Sequence, residues 1–284
     1  MKKVVVNETG EIGQLVEGYH ELKPRAQLAL IRLAYSNPQS WEVKLLVLKE
    51  LFEANPLVID LLERPENHEE LWRLIQHLDW VWVGPKTLPI SVLKLRGKKY
   101  YLPDEALTYV SVGEFIVATA HLIGFSTALN EADARRSLRL FLATICRPKP
   151  DVLQQLRRDK AAWNGDLREE YNTYRCEQRA ENFGRVNEEL GIGLVQWWNH
   201  AVTRLLKQHG LLGKADEETT SVLQGEFVRD WQKDVVLVAK SRVIGETIDK
   251  VYARSIDEFF GYVNVKRELE TKYERETGSI AASE

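Results

Sequence analysis

The chain has only two cysteines, Cys146 and Cys176, in 284 residues. They lie far apart, without a CxxC pair or a histidine at metal-ligand spacing, so there is neither a disulfide framework nor a zinc motif to read. In a reducing compartment both are expected as packing thiols. Long apolar runs are missing as well: no stretch approaches the roughly 20 residues that cross a bilayer. The opening MKKVVVNETGEIG holds a three-residue apolar run before Asn7 and Glu8, far short of a signal-peptide core. Cytoplasm is therefore the expected location. Charge of one sign is also lacking. The 39 basic and 42 acidic residues leave a net charge of -3, which gives no global attraction to nucleic acid or to an anionic membrane. Any such contact has to be local.

Catalytic motifs fail one by one. His68-Glu69-Glu70 opens like a zinc-protease helix, but position 72 is Trp where a second histidine is needed, and His77 falls on another side. Gly191-Ile192-Gly193 has Gln196 where a dinucleotide-binding loop needs its third glycine, and the residues before it read as helix. No GxxxxGK(S/T) loop, GxSxG elbow or EF-hand loop occurs. The carboxylate pairs Glu169-Glu170, Glu188-Glu189 and Glu217-Glu218 sit in polar surroundings that offer nothing to raise a pKa, and they read as solvated faces. No catalytic residue, metal or cofactor is assigned.

What is present is a foldable helical pattern, with 44% hydrophobic and 29% charged residues. Leu28, Ile31 and Tyr35 mark a helical face that stops at Asn37-Pro38. Ser40 is placed to cap a helix carrying Val43, Leu46, Val47, Leu51 and Phe52. Short helices follow over residues 57–62 and 66–78, the second with Leu71, Trp72, Ile75 and Leu78 on one side. A short strand or arm is expected over residues 3–6. Alternation in WVWVGP, and the runs flanking Arg96-Gly97-Lys98, point to one small β-hairpin near residues 90–102 with Gly97 in its turn. Helices then return, on apolar faces that include Phe115, Ile116, Leu122, Leu138, Phe141 and Leu142. The expected fold is mainly α, a multi-helix bundle with that single hairpin. Residues 1–150 are expected as a helical domain, 151–180 as a charged connecting segment, and 181–284 as a helical region with long amphipathic helices.

The C-terminal region carries an apolar stripe through Ile244, Ile248, Val251, Tyr252, Ile256, Phe259, Phe260 and Val263, which something must cover. Adjacent residues on a helix point about 100° apart, so Trp197 and Trp198 cannot enter one core side by side. Either a two-sided buried helix or a partner accounts for them, and Trp163 and Trp231 pose the same question. Trp197, Trp198, Tyr252, Ile256, Phe259 and Phe260 are thus candidate interface anchors. Two basic clusters, Arg135-Arg136 with Arg139 and Arg157-Arg158 with Lys160, are candidate phosphate contacts blunted by Asp133, Asp151 and Asp159.

Leu102-Pro103, Glu105, Leu107 and Gly113-Glu114-Phe115-Ile116, followed by Leu138, Leu142, Ala143, Ile145 and Arg147-Pro148, form a pattern. It resembles virion and tail-assembly proteins of tailed bacteriophages, especially those of Bacteroidetes-like hosts. Cys146 departs from it, standing where the pattern has an aromatic. The resemblance covers about 50 residues and carries no catalytic residue. It implies a helical assembly factor, in the host cytoplasm or the virion, that binds other phage proteins or itself. Two other readings are an enzyme whose site is gathered from Glu114, His121, Cys146 and Arg147 in a pocket between the middle helices, and a nucleic-acid-associated factor using the arginine clusters.

Overall fold

The computed structural model describes residues 2–5, 12–36, 39–53, 60–152, 155, 165–212, 225–240 and 247–281. It is mainly α, with eleven α-helices and two small antiparallel sheets among these residues. The chain forms two compact units, one of residues 1–89 and 186–198, the other of 90–185 and 199–284. The division therefore falls near residue 90 rather than near 150, and the C-terminal helices share a unit with the middle ones.

In the first unit, β1 (Lys2–Val5), β2 (Ile12–Leu15) and β3 (Phe52–Glu53) make a three-stranded antiparallel sheet. Only β1 matches an expected strand. Phe52 and Glu53, expected as the end of a helix, instead pair with Leu15 and Gln14. Helix α1 (Pro24–Ser36) precedes the Asn37-Pro38 break, which lies outside the described residues. Helix α2 (Trp41–Leu51) begins where Ser40 Oγ accepts from Val43 N at 3.4 Å, the expected cap. Helix α3 is His68–Gln76.

WVWV, read as alternating, is the four-residue helix α4 (Trp80–Val83). Four residues are too few to separate a period of 2 from 3.6. Here the Val81 carbonyl accepts from the buried Tyr19 hydroxyl at 2.8 Å, outside any strand ladder. The core of this unit gathers Leu15, Ile31, Val47, Leu48, Leu78 and Val81, with Ile192 from residues 186–198.

In the second unit, β4 (Val92–Leu95) and β5 (Lys98–Tyr101) form the expected hairpin. Arg96 at φ 48° and Gly97 at φ 77° make its tip, both left-handed as a two-residue turn of this kind requires. Helix α5 (Val112–Ser126) is capped by Ser111, whose side chain accepts from Glu114 N, and α6 (Glu131–Ile145) by Asn130, which accepts from Asp133 N. The two helices pack together. Helix α7 (Thr173–Arg179) is capped by Asn172. Helix α8 (Glu188–Gln208) belongs to the first unit through Trp198 and to the second from Asn199.

Helices α9 (Gly225–Lys240), α10 (Ile248–Ala253) and α11 (Ile256–Ala281) complete the second unit. The expected long C-terminal stripe is broken at Arg254-Ser255. There the backbone pairs with residues 110–112 through Ile256 N to Val110 O (2.8 Å) and Val112 N to Arg254 O (2.9 Å). No described helix is long and apolar enough to cross a membrane.

Candidate functional site

The aromatic anchors expected from the sequence are covered by the chain itself. Trp197 and Trp198 are 0% and 1% exposed, with ring centroids 6.2 Å apart, so both sides of α8 are buried. Ile256, Phe259 and Phe260 are buried too. Trp231 of α9 lies 4.7 Å from the Phe260 ring and 5.9 Å from Phe259, and Phe115 of α5 approaches Phe260 at 5.5 Å. Ile256, Phe259 and Phe260, with Trp197 and Trp198, therefore correct to core, whereas Ile248 of the expected stripe is exposed and Ile244 lies outside the described residues. Tyr252 alone of the set is half-buried, in the wall of a cleft. Trp163 lies outside the described residues.

Two exposed tryptophans are in the first unit. Trp41, at the start of α2, and Trp72 of α3 stack with centroids 5.2 Å apart and planes 20° from parallel, although they remain 36% and 51% exposed. Trp72 and Leu46, both expected on buried faces, point to solvent instead. The indoles border a cleft of about 620 Å³ that Gln39, Lys44, Ile75 and Asp79 also line. Lys44 pairs with Asp79 at 2.6 Å and Gln39 donates to the same carboxylate at 2.8 Å, so its charges are matched.

The second unit holds a buried ionic network. Arg147 follows α6, and its backbone is fixed by a two-bond bridge to Tyr101 of β5 (N to O 3.0 Å, and Tyr101 N to Arg147 O 2.8 Å). Its guanidinium donates to Glu114 Oε2 at 2.6 Å, to Asp166 Oδ2 at 3.1 Å and to the Glu169 carbonyl. Arg168 donates to Asp166 Oδ1 at 3.0 Å, to Glu114 Oε1 at 2.8 Å and to the Ile145 carbonyl at 3.0 Å. Glu169 pairs with Arg179, which also donates to the Ala143 carbonyl at 3.1 Å. Glu114 is 0% exposed, and Arg147 and Arg168 are 2%.

Burial pulls the Arg147 pKa below its ordinary value against the field of Glu114. For Arg168 burial acts the same way, but Glu114 and Asp166 outweigh it and the pKa is raised. The charged stretch expected to be a connection thus supplies three buried charges to this network, Asp166, Arg168 and Glu169. Over the network lies a cleft of about 860 Å³, lined among others by Tyr109, Tyr171, Tyr252 and Arg254.

Of the residues gathered for a catalytic reading, Glu114 and Arg147 do meet, as ion-pair partners. Cys146 is fully buried, and desolvation pushes its thiol up to about 12. The charges acting on it are those of Arg168, Arg179 and Glu114, whereas His121, lowered by burial, feels Glu177. Cysteine and histidine therefore form no activated pair. Arg135 and Arg136 are exposed on α6, Arg135 pairing with Glu131 at 2.5 Å; Arg157 and Arg158 lie outside the described residues. Among the described residues no three His, Cys, Asp or Glu side chains converge as metal ligands would.

The positions that carry the phage-protein resemblance are largely interior: Leu107, Glu114, Phe115, Leu142, Ala143, Ile145 and Arg147 are all 2% exposed or less. They define the α5–α6 core and its ion pairs rather than a surface. Comparison with protein-family models, curated proteins and solved structures gives no match.

Proposed function

We propose that this chain is a non-enzymatic interaction protein that works by protein–protein contact, with Trp41 and Trp72 as its anchors. The carrying observation is the stacked, exposed indole pair. Leaving about half an indole in water, on the order of 100 Å² of apolar surface, forgoes about 2.5 kcal/mol. Rigid surface tryptophans are the side chains most often found at the energetic centre of interfaces. The proposed occupant is a second copy of the chain. The neighbouring charges are internally matched through Lys44 and Asp79, so such a patch can meet its own image across a two-fold axis without charge repulsion.

The resemblance to tailed-phage virion and tail-assembly proteins refines this to a phage-encoded assembly factor, for which self-association is an ordinary mode of action. Light scattering across a concentration series tests the reading. The wild type is expected near twice its 32.8 kDa mass, W41A/W72A at 32.8 kDa, and W41F/W72F to associate. A wild type that stays at 32.8 kDa throughout, or a W41A/W72A variant that associates as strongly, overturns it.

A further inference from the structure

Between Asp79 and Asp104 the chain has no acidic residue and five basic ones, Lys86, Lys94, Arg96, Lys98 and Lys99, although the whole molecule is net acidic. Four of the five fall on the β4–β5 hairpin of the second unit, and all four are exposed. The strand register sets Lys94 directly opposite Lys99. Like charges in that position destabilise a sheet.

A third lysine lies near them, two residues after Arg147, which an isolated antiparallel bridge pairs with Tyr101. Lys149 Nζ lies 5.0 Å from the centre of the Tyr101 ring. Beside this edge runs a groove of about 680 Å³ that Lys98, Lys99, Lys149, Arg175 and Arg179 line together with Asp151 and Glu169. Of the two carboxylates, Glu169 is already engaged by Arg179 and, at 3.6 Å, by Arg175. The tip adds a further oddity: Arg96 occupies a left-handed position at φ 48°, where this turn favours Asn, Asp or Gly. A strained site given to a cation is better accounted for by a ligand than by the turn.

We infer that the hairpin and its groove bind the phosphate backbone of a nucleic acid. A two-stranded ribbon has the width that the major groove of a duplex admits. Lysines act on phosphates as point charges and so need no matched fork. Lys94 opposite Lys99, Lys149 over the Tyr101 ring, and Arg96 and Lys98 at the tip spread cations over a ribbon rather than in one pocket, which suits a repeating anion over a single small one. This site shares no residue with the Trp41–Trp72 pair and stands whether or not the chain self-associates.

The test is fluorescence anisotropy of the full chain with a labelled DNA duplex of about 20 base pairs, titrated between about 50 and 200 mM salt. Binding is expected to weaken linearly in log–log form, by about 0.9 per neutralised phosphate. K98E/K99E is expected to bind at least ~10-fold more weakly and to lower the slope by about two, while K98R/K99R binds as the wild type does. R135E/R136E, which changes net charge equally on α6, is expected to leave binding intact. No binding at the lowest salt overturns the inference, as does equal loss in R135E/R136E. Displacement of the duplex by poly-glutamate at equal charge concentration also overturns it, by assigning the surface to an acidic protein.

Discussion

Glu114 sits in the first turn of α5 with no exposed surface and holds two guanidiniums, Arg147 at 2.6 Å and Arg168 at 2.8 Å. Ions so far from water are tolerated only while every partner is present, and removing one leaves an uncompensated charge at a cost of about 3–5 kcal/mol. E114Q keeps the shape and deletes the charge, so urea unfolding is expected to show a loss in that range. R147Q is expected to lose a similar amount, and the double variant less than the sum, because each single change has already broken the same pair. Additive losses would show that the two side chains are not energetically coupled.

The sequence does not announce this network. Glu114 and Arg147 enter its reading only as members of a gathered enzyme site, and Asp166, Arg168 and Glu169 sit in a stretch so polar that it reads as a charged connection. Composition reports average polarity, whereas pairing decides whether a charge can be buried. The indole pair is hidden in a similar way: Trp72 follows the apolar spacing of α3, and nothing local shows that it stacks on Trp41 and stays half exposed.

Helices declared themselves through repeated apolar spacing and, for α2, through the Ser40 cap; Ser111 and Asn130, which the sequence reading does not single out, also accept from the backbone three residues on. Short elements did not. Phe52-Glu53 becomes a strand because β2 lies beside it, a long-range pairing that no local pattern encodes. The β4–β5 hairpin was readable because its turn residue is local, and that turn supports a prediction. Arg96 has a side chain at φ 48° and Gly97 lies at φ 77°. A non-glycine residue in that region costs roughly 1–2 kcal/mol, less for Asn. R96N is therefore expected to raise the unfolding midpoint and G97A to lower it, both read by thermal melts. If Arg96 is kept for a ligand, R96N gains stability and loses duplex affinity together, the trade expected where a strained residue serves binding. A lower melting temperature in R96N would show that the turn is not strained.

At the scale of the whole molecule, the informative feature is that neither unit is continuous in sequence. The first is completed by residues 186–198, nearly a hundred residues downstream of position 89. Ile192 from that segment is 4% exposed in its core. At Gly193 an added Cβ would lie 2.7 Å from Ile31 Cδ1, so α8 approaches α1 as closely as glycine allows. Gln196 fills the space beside Gly84, which has φ 87° and ends α4; a Cβ there would come within 2.5 Å of the glutamine side chain. A fragment of residues 1–89 therefore lacks the helix face that covers Ile31. Hydrophobic burial scales with the area removed from water, and a domain this small has little margin to lose it. Residues 1–89 alone are expected to give a poorly dispersed amide spectrum and no cooperative melt. The same residues joined by a flexible linker to 186–208 are expected to fold. Equal melting of the two fragments would show that α8 contributes nothing to the first core. Failure of the longer one alongside intact full-length protein would mean that the first unit draws its stability from residues outside both segments.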